Sequence, residues 1–371
     1  MNVLLAPDSF KGSLTALRAA ETIAAVITRL DPAVRCVLRP QADGGEGTVD
    51  AIFRAVGGRL HLTTVHDPLG RPVQARWLQL PDGSALVESA ACIGLTLLAG
   101  DEHDPRLLRS DGLGMLLRDL AERGYSTVYC GLGGTATNDA GYGLATALGA
   151  RFQLSIEAPR GVRDALASVR AVEMPHRAAQ AITALADVDN PLLGPRGATA
   201  VYGPQKGIPE PEIQEWDHAI GHFAAVARRD VRAVDPDAPG MGAAGGLGFA
   251  LACFAGARIH SGAAFVRRHS GFDDVLAFAD LVITGEGRID AQSTQGKVLT
   301  GLRDAAAGRG VPIVAFCGEV VGDVDTLTHD LGLSAIIPIT SPDASRANAM
   351  REAERLLANA VVRAWPVISA S

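Results

Sequence analysis

Short apolar runs along the chain alternate with longer segments in which apolar residues recur every three or four positions. The first apolar run covers residues 3–6, and after a loop at 7–13 the helical pattern extends over residues 15–30. A second strand at 36–39 leads into another glycine-rich loop and a further helix. Strands that alternate with helices in this way predict a mostly parallel sheet.

The middle of the chain has a different pattern. Short alternating runs at 60–65, 73–80 and 85–88, separated by Pro-Leu-Gly and Pro-Asp-Gly turns, predict an antiparallel piece. Strand and helix order then resumes. The predicted elements are helices at 111–123, 142–148 and 212–229 and strands at 127–132 and 182–187.

The C-terminal part returns to simple alternation. The predicted elements are strands at 280–284, 313–317 and 335–339, a loop at 285–296, and helices at 297–308 and 345–364. Strands alternate with helices at both ends of the chain. We therefore expect one α/β domain with a doubly wound parallel sheet that is built from both ends. A second α/β domain with a mixed sheet interrupts it. The predicted boundaries are 1–60 plus 277–371 for the first domain and 61–276 for the second.

Composition narrows the class of protein. The 371 residues carry a formal net charge of -7 and include 42 glycines, while aromatic residues make up only 5%. An acidic chain lacks the basic surface that nucleic acids or anionic membranes require, so we expect neither partner. The five cysteines show no Cys-x-x-Cys spacing, which favours the cytoplasm. The uncharged stretch at 239–257 is too rich in Gly and Ala for a membrane span and predicts a glycine loop before a buried helix.

Several loops share one layout, in which Gly and acidic residues follow directly on an apolar strand. In open α/β sheets, ligands bind beyond the carboxyl ends of the strands. The first loop places Asp8 close to Lys11, although Asp8 would also suit a simple turn. The second loop, 42–48, places two carboxylates among glycines that could cradle a phosphate. Its candidate residues are Asp43, Gly44, Gly45 and Glu46.

The third loop, residues 131–141, contains a variant of the dinucleotide fingerprint, Gly131-x-Gly133-x-x-Ala136. The acidic residue expected about twenty positions later would be Glu157, which does not follow a clear strand, so this match is weak. Polar side chains in the loop favour a site for phosphate and Mg²⁺ instead. The candidates are Gly133, Gly134, Thr135, Asn138 and Asp139.

Two further loops complete the set. Asp187 and Asp189 alternate on an extended segment, which suits a metal or a general base, although an Asn-Pro turn would explain the same residues. The loop at 285–296 contains Glu286, Arg288 and Asp290 and ends where Lys297 begins a helix, but its spacing is not that of a P-loop. Carboxylates for Mg²⁺, cations for anions and Gly backbone for phosphates are together what phosphoryl transfer needs.

The chain resembles the bacterial glycerate kinase family, a class unrelated to P-loop kinases. The resemblance rests on motifs that occur in order along nearly the whole chain: PDSFKGSL, ADGGEGT, GGTATNDAG, DNPLLGPRGA, PQKG, GAAGGLG and DLVITGEGRIDAQS. It implies phosphorylation of D-glycerate by ATP with Mg²⁺, usually to 2-phosphoglycerate. It also implies a flavodoxin-like domain with an inserted α/β domain and an active site in the cleft between them; the oligomeric state is left open.

Roles follow from this resemblance and from the chemistry of the side chains. Lys11 and Arg288 are the candidate cations for the glycerate carboxylate, and Asp189 is the favoured general base, with Asp43 and Asp8 as rivals. ATP phosphates would meet Lys297 and the glycine loops. The candidate Mg²⁺ ligands are Asp43, Glu46, Asp139, Glu286 and Asp290. Two alternatives stay open at this point: a nucleotide-dependent oxidoreductase acting on a small 2-hydroxy acid, and a non-catalytic sensor of an organic acid.

Overall fold

The computed structural model describes residues 1–10, 12–175, 180–291, 293, 297–341 and 345–370. Strands are numbered in chain order. They are β1 (Asn2–Leu5), β2 (Arg35–Leu38), β3 (Arg59–His66), β4 (Pro72–Gln79), β5 (Ala85–Glu88), β6 (Thr127–Gly131), β7 (Arg151–Leu154), β8 (Val169–Glu173), β9 (Ala181–Leu185), β10 (Arg258–His260), β11 (Leu281–Ile289), β12 (Ile313–Val320) and β13 (Ala335–Pro338).

Helices are numbered in the same way. They are α1 (Ala16–Leu30), α2 (Thr48–Val56), α3 (Ala90–Ile93), α4 (Asp111–Glu122), α5 (Tyr142–Ala147), α6 (Val162–Ser168), α7 (Ala198–Tyr202), α8 (Ile213–Asp230), α9 (Ala243–Ala250), α10 (Gly262–His269), α11 (Phe272–Leu276), α12 (Lys297–Ala307), α13 (Val324–Asp330), α14 (Arg346–Arg351) and α15 (Ala353–Ile368).

The chain divides into two compact units. Unit 1 comprises Met1–Asp43, Asp50–Gly57 and Ala263–Ser371, and unit 2 comprises Gly44–Val49 and Gly58–Gly262. Unit 1 therefore combines both chain ends. The boundaries predicted from the sequence, after residues 60 and 276, stay predictions.

Unit 1 contains a five-stranded parallel sheet in the order β13-β12-β11-β1-β2. Counted along the chain within this unit, that order is 2-1-3-4-5, the flavodoxin-like arrangement. Its topological switch point lies between β1 and β11, where the chain has wound first to one side and then to the other. The predicted α/β fold class, with a doubly wound parallel sheet, is confirmed.

The central strands of unit 1, β1, β11 and β12, are largely buried on both faces, as parallel strands covered by helices must be. In β1, Val3 and Leu5 pack into one apolar cluster with α1 and α15, whereas Leu4 packs on the opposite face with α12. Helix α1 begins where the Thr15 side chain accepts a hydrogen bond from the Arg18 backbone N–H at 3.2 Å. These two cores fix the carboxyl ends of the strands, from which the loops emerge.

Unit 2 contains a mixed six-stranded sheet in the order β10-β9-β6-β5-β4-β3. The strands β10, β9, β6 and β5 run parallel, and β4 and β3 add the antiparallel hairpin that the pattern at 60–88 predicts. One large apolar cluster packs against this sheet, and Trp77, Trp216 and Phe223 lie in it with no exposed surface. The parallel strands again end at one edge.

Three elements differ from the sequence-based expectations. Strand β11 continues to Ile289, so the first five residues of the predicted loop at 285–296 are strand, because β12 pairs with them as far as Val320. Strands β7 and β8 form a separate antiparallel hairpin that the pattern did not indicate. The predicted C-terminal helix is two helices, α14 and α15, separated at Glu352.

The uncharged stretch at 239–257 forms a glycine-rich turn and a buried helix, as predicted. Within α9, Ala244, Gly245 and Gly246 have left-handed φ angles, so the regular helical part follows Gly246. It continues as a buried π-helical segment, Leu251–Ala255. Among the helices that the structure describes, none combines the length and apolar composition needed to cross a bilayer.

Candidate active site

In unit 1, the topological switch point holds a small cavity. The Asp8 backbone N–H, just beyond β1, donates a hydrogen bond to the Gly285 carbonyl of β11 at 2.8 Å. This bond extends the pairing of β1 with β11 beyond the end of β1. The cavity has a volume of about 20 Å³ and is lined by Asp8, Thr284, Gly285, Glu286, Ile289, Val298, Leu299 and Ala315. Two carboxylates therefore line one cavity at the position where open α/β sheets bind ligands.

Both carboxylates are half-buried. The Asp8 side chain accepts a hydrogen bond from the Ser9 backbone N–H at 2.6 Å, which fixes the start of the loop. Burial raises the pKa of the Cys317 thiol on β12 to about 12, and the negative charge of the nearby Glu286 carboxylate raises it further. Glu286 thus lies on the strand, beside the cavity, and not in a loop as the sequence predicts.

The other predicted residues of unit 1 are more exposed. Arg288 is exposed, and its Nε lies 3.0 Å from a carboxylate oxygen of Asp290. Lys297 begins α12 and is half-buried, and Asp43 is also half-buried. Lys11 lies outside the described residues.

In unit 2, four parallel strands end at the same edge, and the predicted loops follow them. Beyond β9, Asp187 accepts a hydrogen bond from the Ser261 hydroxyl, which follows β10, at 2.7 Å. Asp189 is exposed, whereas Asp187 is half-buried. Asn190 is held by the Tyr202 hydroxyl, which donates to it at 2.7 Å. Of the two aspartates, the exposed one is thus Asp189, the favoured general base.

The glycines of the second and third loops contact each other directly. A Cβ atom on Gly131 would lie 2.2 Å from the Gly44 carbonyl oxygen, and one on Gly133 would lie 2.8 Å from the Gly45 Cα. The sequence predicts Gly44 and Gly45 as a phosphate cradle, but in this structure they are buried and permit two backbones to touch. Gly134, in contrast, is exposed, with Glu46, also exposed, close to it.

The dinucleotide fingerprint is not supported by the geometry. Helix α5 begins only at Tyr142, six residues after Ala136, so no helix N-terminus follows the glycines directly. The Ala136 backbone N–H donates to the Ile93 carbonyl at 2.9 Å. Glu157 follows β7 of the separate hairpin, not a strand of the main sheet.

Asp139 is fully buried. One of its oxygens accepts hydrogen bonds from the Ser110 backbone N–H at 2.9 Å, the Ser110 hydroxyl at 2.8 Å and the Gly143 backbone N–H at 3.0 Å. The other oxygen accepts from the Gly141 backbone N–H at 3.0 Å. Burial raises the pKa of this carboxyl, and the hydrogen bonds oppose that shift. The arrangement favours a structural role for Asp139 over the predicted metal role.

Thr135 and Asn138 also point inward. Thr135 is 3% exposed and Asn138 is not exposed at all, and the Asn138 amide donates to the Thr199 hydroxyl at 3.0 Å. The part of the third loop that faces solvent is therefore Gly133 and Gly134, while residues 135–139 anchor it.

Lys206 has no role among the sequence-based predictions. This lysine is 2% exposed, and its Nζ donates hydrogen bonds to the Thr137 carbonyl at 2.6 Å and to the Thr135 hydroxyl at 3.2 Å. Burial lowers the pKa of Lys206 to about 7, with the Asp139 charge acting in the opposite direction. The composition of the chain could have drawn attention to Lys206. The chain has 31 arginines but only three lysines, and each of the three lysines is next to a glycine.

Within the described part of the chain, no group of three or more His, Cys, Asp and Glu side chains is arranged to hold a metal ion. His218 and His222, one turn apart on α8, are exposed, and His222 contacts the Val169 carbonyl at 2.7 Å. All five cysteines are free thiols, and four of them are buried.

Comparison with known proteins gives one consistent result. The model of the glycerate kinase family matches residues 3–369. A glycerate kinase from Bacillus subtilis (strain 168) is 38% identical over 345 residues, which are 91% of this chain and 90% of that protein. A glycerate 2-kinase from Escherichia coli (strain K12) is 37% identical over 345 residues, with the same coverage.

A solved structure agrees with the sequence relatives. The crystal structure of a putative glycerate kinase 2 from Salmonella typhimurium LT2 matches with a TM-score of 0.82 and 35% identity, over 100% of this chain and 99% of that chain. These matches span both compact units and include the motifs from which the resemblance was inferred. The chain belongs to the glycerate kinase family.

Proposed function

We propose that this protein phosphorylates D-glycerate with ATP and that 2-phosphoglycerate is the product. The observation that carries the proposal is the family match over residues 3–369, together with curated glycerate kinases that align over most of their own length. The free thiols fit a reducing compartment, and we propose the cytoplasm.

In the proposed reaction, the hydroxyl oxygen at carbon 2 of glycerate attacks the γ-phosphorus of ATP. The bond between that phosphorus and the β,γ-bridging oxygen breaks, ADP leaves, and the hydroxyl proton passes to a carboxylate. Catalysis then depends on positioning and on neutralising the charge of the transferred group. The chain must therefore supply a base, anion-binding groups and a carboxylate for the metal that accompanies ATP.

Mg²⁺ enters with ATP as part of the substrate complex. Since Mg²⁺ usually keeps several waters and takes only one or two protein carboxylates beside the phosphates, a prebuilt cluster of three ligands is not required. Glu286 and Asp8, which line one cavity in unit 1, suit this role. Asp43, Glu46 and Asp290 stay candidates, and we withdraw Asp139 because its oxygens already accept four hydrogen bonds.

For the base we retain Asp189, with Asp43 and Asp8 as rivals. Asp189 follows the carboxyl end of β9 and is exposed, so a substrate hydroxyl can reach it. In the same sheet, the backbone of Gly133 and Gly134 forms the solvent-facing part of the loop after β6, and we propose that it binds ATP phosphates. Lys297 at the start of α12 is a further phosphate ligand, and Lys11 and Arg288 are the proposed cations for the glycerate carboxylate.

The deciding experiment mixes the purified protein with ATP, Mg²⁺ and D-glycerate and measures ADP. We expect ADP formation that depends on glycerate. Phosphorus NMR then identifies the product, because phosphate at carbon 2 couples to one proton and gives a doublet, whereas phosphate at carbon 3 couples to two and gives a triplet. A triplet would correct the position of transfer, and no ADP at all would refute the kinase.

The same preparation tests the rivals. An oxidoreductase would change nicotinamide absorbance with a 2-hydroxy acid, and a sensor would bind glycerate while leaving ATP intact.

A separate variant tests the proposed base. Asp189→Asn removes the proton acceptor but keeps the shape, so we expect kcat to fall about 100-fold or more. Near wild-type turnover in this variant would move the role to Asp8 or Asp43, whose Asn variants are made in parallel.

A further inference from the structure

Lys206 links two separate segments of unit 2. It ends the short 3-10 turn Pro204–Lys206, and its Nζ donates to the Thr137 carbonyl at 2.6 Å and the Thr135 hydroxyl at 3.2 Å. Both acceptors belong to the buried half of the loop after β6, whose solvent-facing half is Gly133 and Gly134. The amino group therefore fastens the anchor of that loop.

Space around the amino group is limited. A Cβ atom on Gly245 would lie 2.9 Å from the Lys206 Nζ and 2.1 Å from the Thr137 carbonyl oxygen. An arginine at position 206 would bring a planar guanidinium, which is wider than an amino group, against the Gly245 backbone. The chain has 31 arginines and three lysines, and one of the three lysines occupies this position.

The anchored loop is in an energetically unfavourable state. The Thr137 hydroxyl oxygen and the Asn138 side-chain oxygen are buried and have no hydrogen-bond partner among the described residues. Close by, Ala140 and Ala244 have φ angles of 48° and 54°, in the left-handed region that alanine rarely adopts. Buried polar groups without partners and strained backbone concentrate at functional sites, where the surrounding structure holds them in place.

We propose that Lys206 is a positioning residue for ATP. Through Thr135 and Thr137 it holds the anchor of the loop so that the backbone of Gly133 and Gly134 is placed for the phosphates. This inference rests on the proposed function, because it assigns the solvent-facing glycines to ATP. It extends that function to a buried residue that does not itself reach the solvent.

The test uses Lys206→Ala, which removes the amino group and leaves a space for a small primary amine. We expect the KM for ATP to rise at least tenfold, while the KM for D-glycerate stays within twofold. Added ethylamine should restore at least a fifth of the lost kcat/KM for ATP, because it returns a hydrogen-bond donor to Thr135 and Thr137. We expect Lys206→Arg not to restore activity, since its guanidinium is wider than the amino group that packs close to Gly245.

A matched control separates positioning from loss of stability. Leu166→Ala makes a cavity elsewhere in the core of the same unit, where Leu166 is fully buried on α6. It should lower the unfolding temperature, leave both KM values within twofold and show no response to ethylamine. If Lys206→Ala behaves like Leu166→Ala, with a lower unfolding temperature and unchanged KM for ATP, the positioning role is refuted.

A milder variant covers the case in which Lys206→Ala does not fold. Thr135→Val removes one acceptor of the amino group, and we expect a three- to tenfold rise in the KM for ATP. An unchanged KM refutes the proposal.

Calorimetry, which measures ATP binding directly, distinguishes failure of this inference from failure of the proposed function. A wild-type protein that binds ATP but forms no ADP refutes the kinase alone, and Lys206→Ala must then still weaken ATP binding. A wild-type protein that does not bind ATP refutes both.

Discussion

At both parallel-strand edges of this protein, loops with Gly and acidic residues follow apolar strands, but the two edges use their polar residues in different ways. In unit 1, Asp8 and Glu286 are half-buried beside a small cavity, and Arg288 is exposed next to Asp290. In unit 2, Asp139 and Lys206 are buried and hydrogen-bonded to backbone and hydroxyl groups. The unit 1 charges can meet a substrate, whereas these two unit 2 charges hold a loop.

This difference has a measurable consequence. Removing a charge that holds backbone should change the free energy of unfolding, because buried N–H groups lose their acceptors. Removing a charge that meets substrate should change turnover and leave unfolding nearly unchanged. The two edges can therefore be told apart by measuring stability and kinetics on the same variants.

The largest expected effect is on Asp139. Asp139→Ala removes the acceptor of three backbone N–H groups and one hydroxyl, all buried, and we expect the free energy of unfolding to fall by about 3–5 kcal/mol. Urea denaturation measures this change. Asp104→Asn, which breaks an ion pair with Arg106 near the surface, serves as control and should cost about 0–1 kcal/mol. Equal losses in the two variants would contradict the structural role of Asp139.

A substitution of Glu286 tests the parallel-strand edge of unit 1. Glu286→Gln keeps the shape of the side chain but removes the charge beside the unit 1 cavity, so we expect kcat to fall about 100-fold, equivalent to about 2.7 kcal/mol. Stability should change by less than about 1 kcal/mol. Glu319→Gln is the control, since Glu319 is exposed on the neighbouring strand β12. A loss of stability without a loss of turnover would place Glu286 with Asp139 as a structural carboxylate.

The next largest expected effect concerns the contact between Gly131 and Gly44. Gly131→Ala would place a Cβ 2.2 Å from the Gly44 carbonyl oxygen. Because the oxygen belongs to the backbone and a Cβ cannot rotate away, the two backbones must shift apart, and we expect a cost of about 1–3 kcal/mol in unfolding free energy. Gly100→Ala, at a position with nothing within 4 Å, should be close to neutral. A neutral Gly131→Ala would show that the backbones need not touch here and would return Gly44 to its predicted role in phosphate binding.

Lys206 predicts a pH dependence of stability. Burial lowers its pKa in the folded protein to about 7, while the unfolded chain keeps the ordinary value near 10.5. Between these values the unfolded chain binds the proton that the folded protein has released, so wild-type stability rises with pH. We expect a slope of at most about 1.4 kcal/mol per pH unit between pH 7 and 9.5 relative to Lys206→Met, and no slope below pH 7. Parallel curves for the two proteins across this range would contradict the lowered pKa.

Hydrophobic periodicity was sufficient to predict the alternation of strands and helices at both ends of the chain and the antiparallel strands at 60–88, because both depend on local pattern. The carboxyl ends of the strands were also located in this way, and with them most candidate loops. Periodicity could not indicate that Gly131 touches Gly44, that Asp139 turns inward or that Lys206 reaches Thr137, because these contacts join residues distant in the chain. Strand β11 extends to Ile289 for the same reason, since its pairing with β12 is not a local property.

The smallest expected effect concerns Arg288 and Asp290. Their ion pair at 3.0 Å is near the surface, with the Arg288 side chain 56% exposed, so Asp290→Asn should change the free energy of unfolding by about 0–1 kcal/mol. If Arg288 binds the glycerate carboxylate, it must exchange Asp290 for substrate, and removing the competing charge should lower the KM for D-glycerate about two- to threefold. Arg288→Gln should raise that KM. If Asp290→Asn instead lowers kcat tenfold or more and raises the Mg²⁺ requirement, Asp290 is a metal ligand and the unit 1 edge contains one more group that meets the substrate.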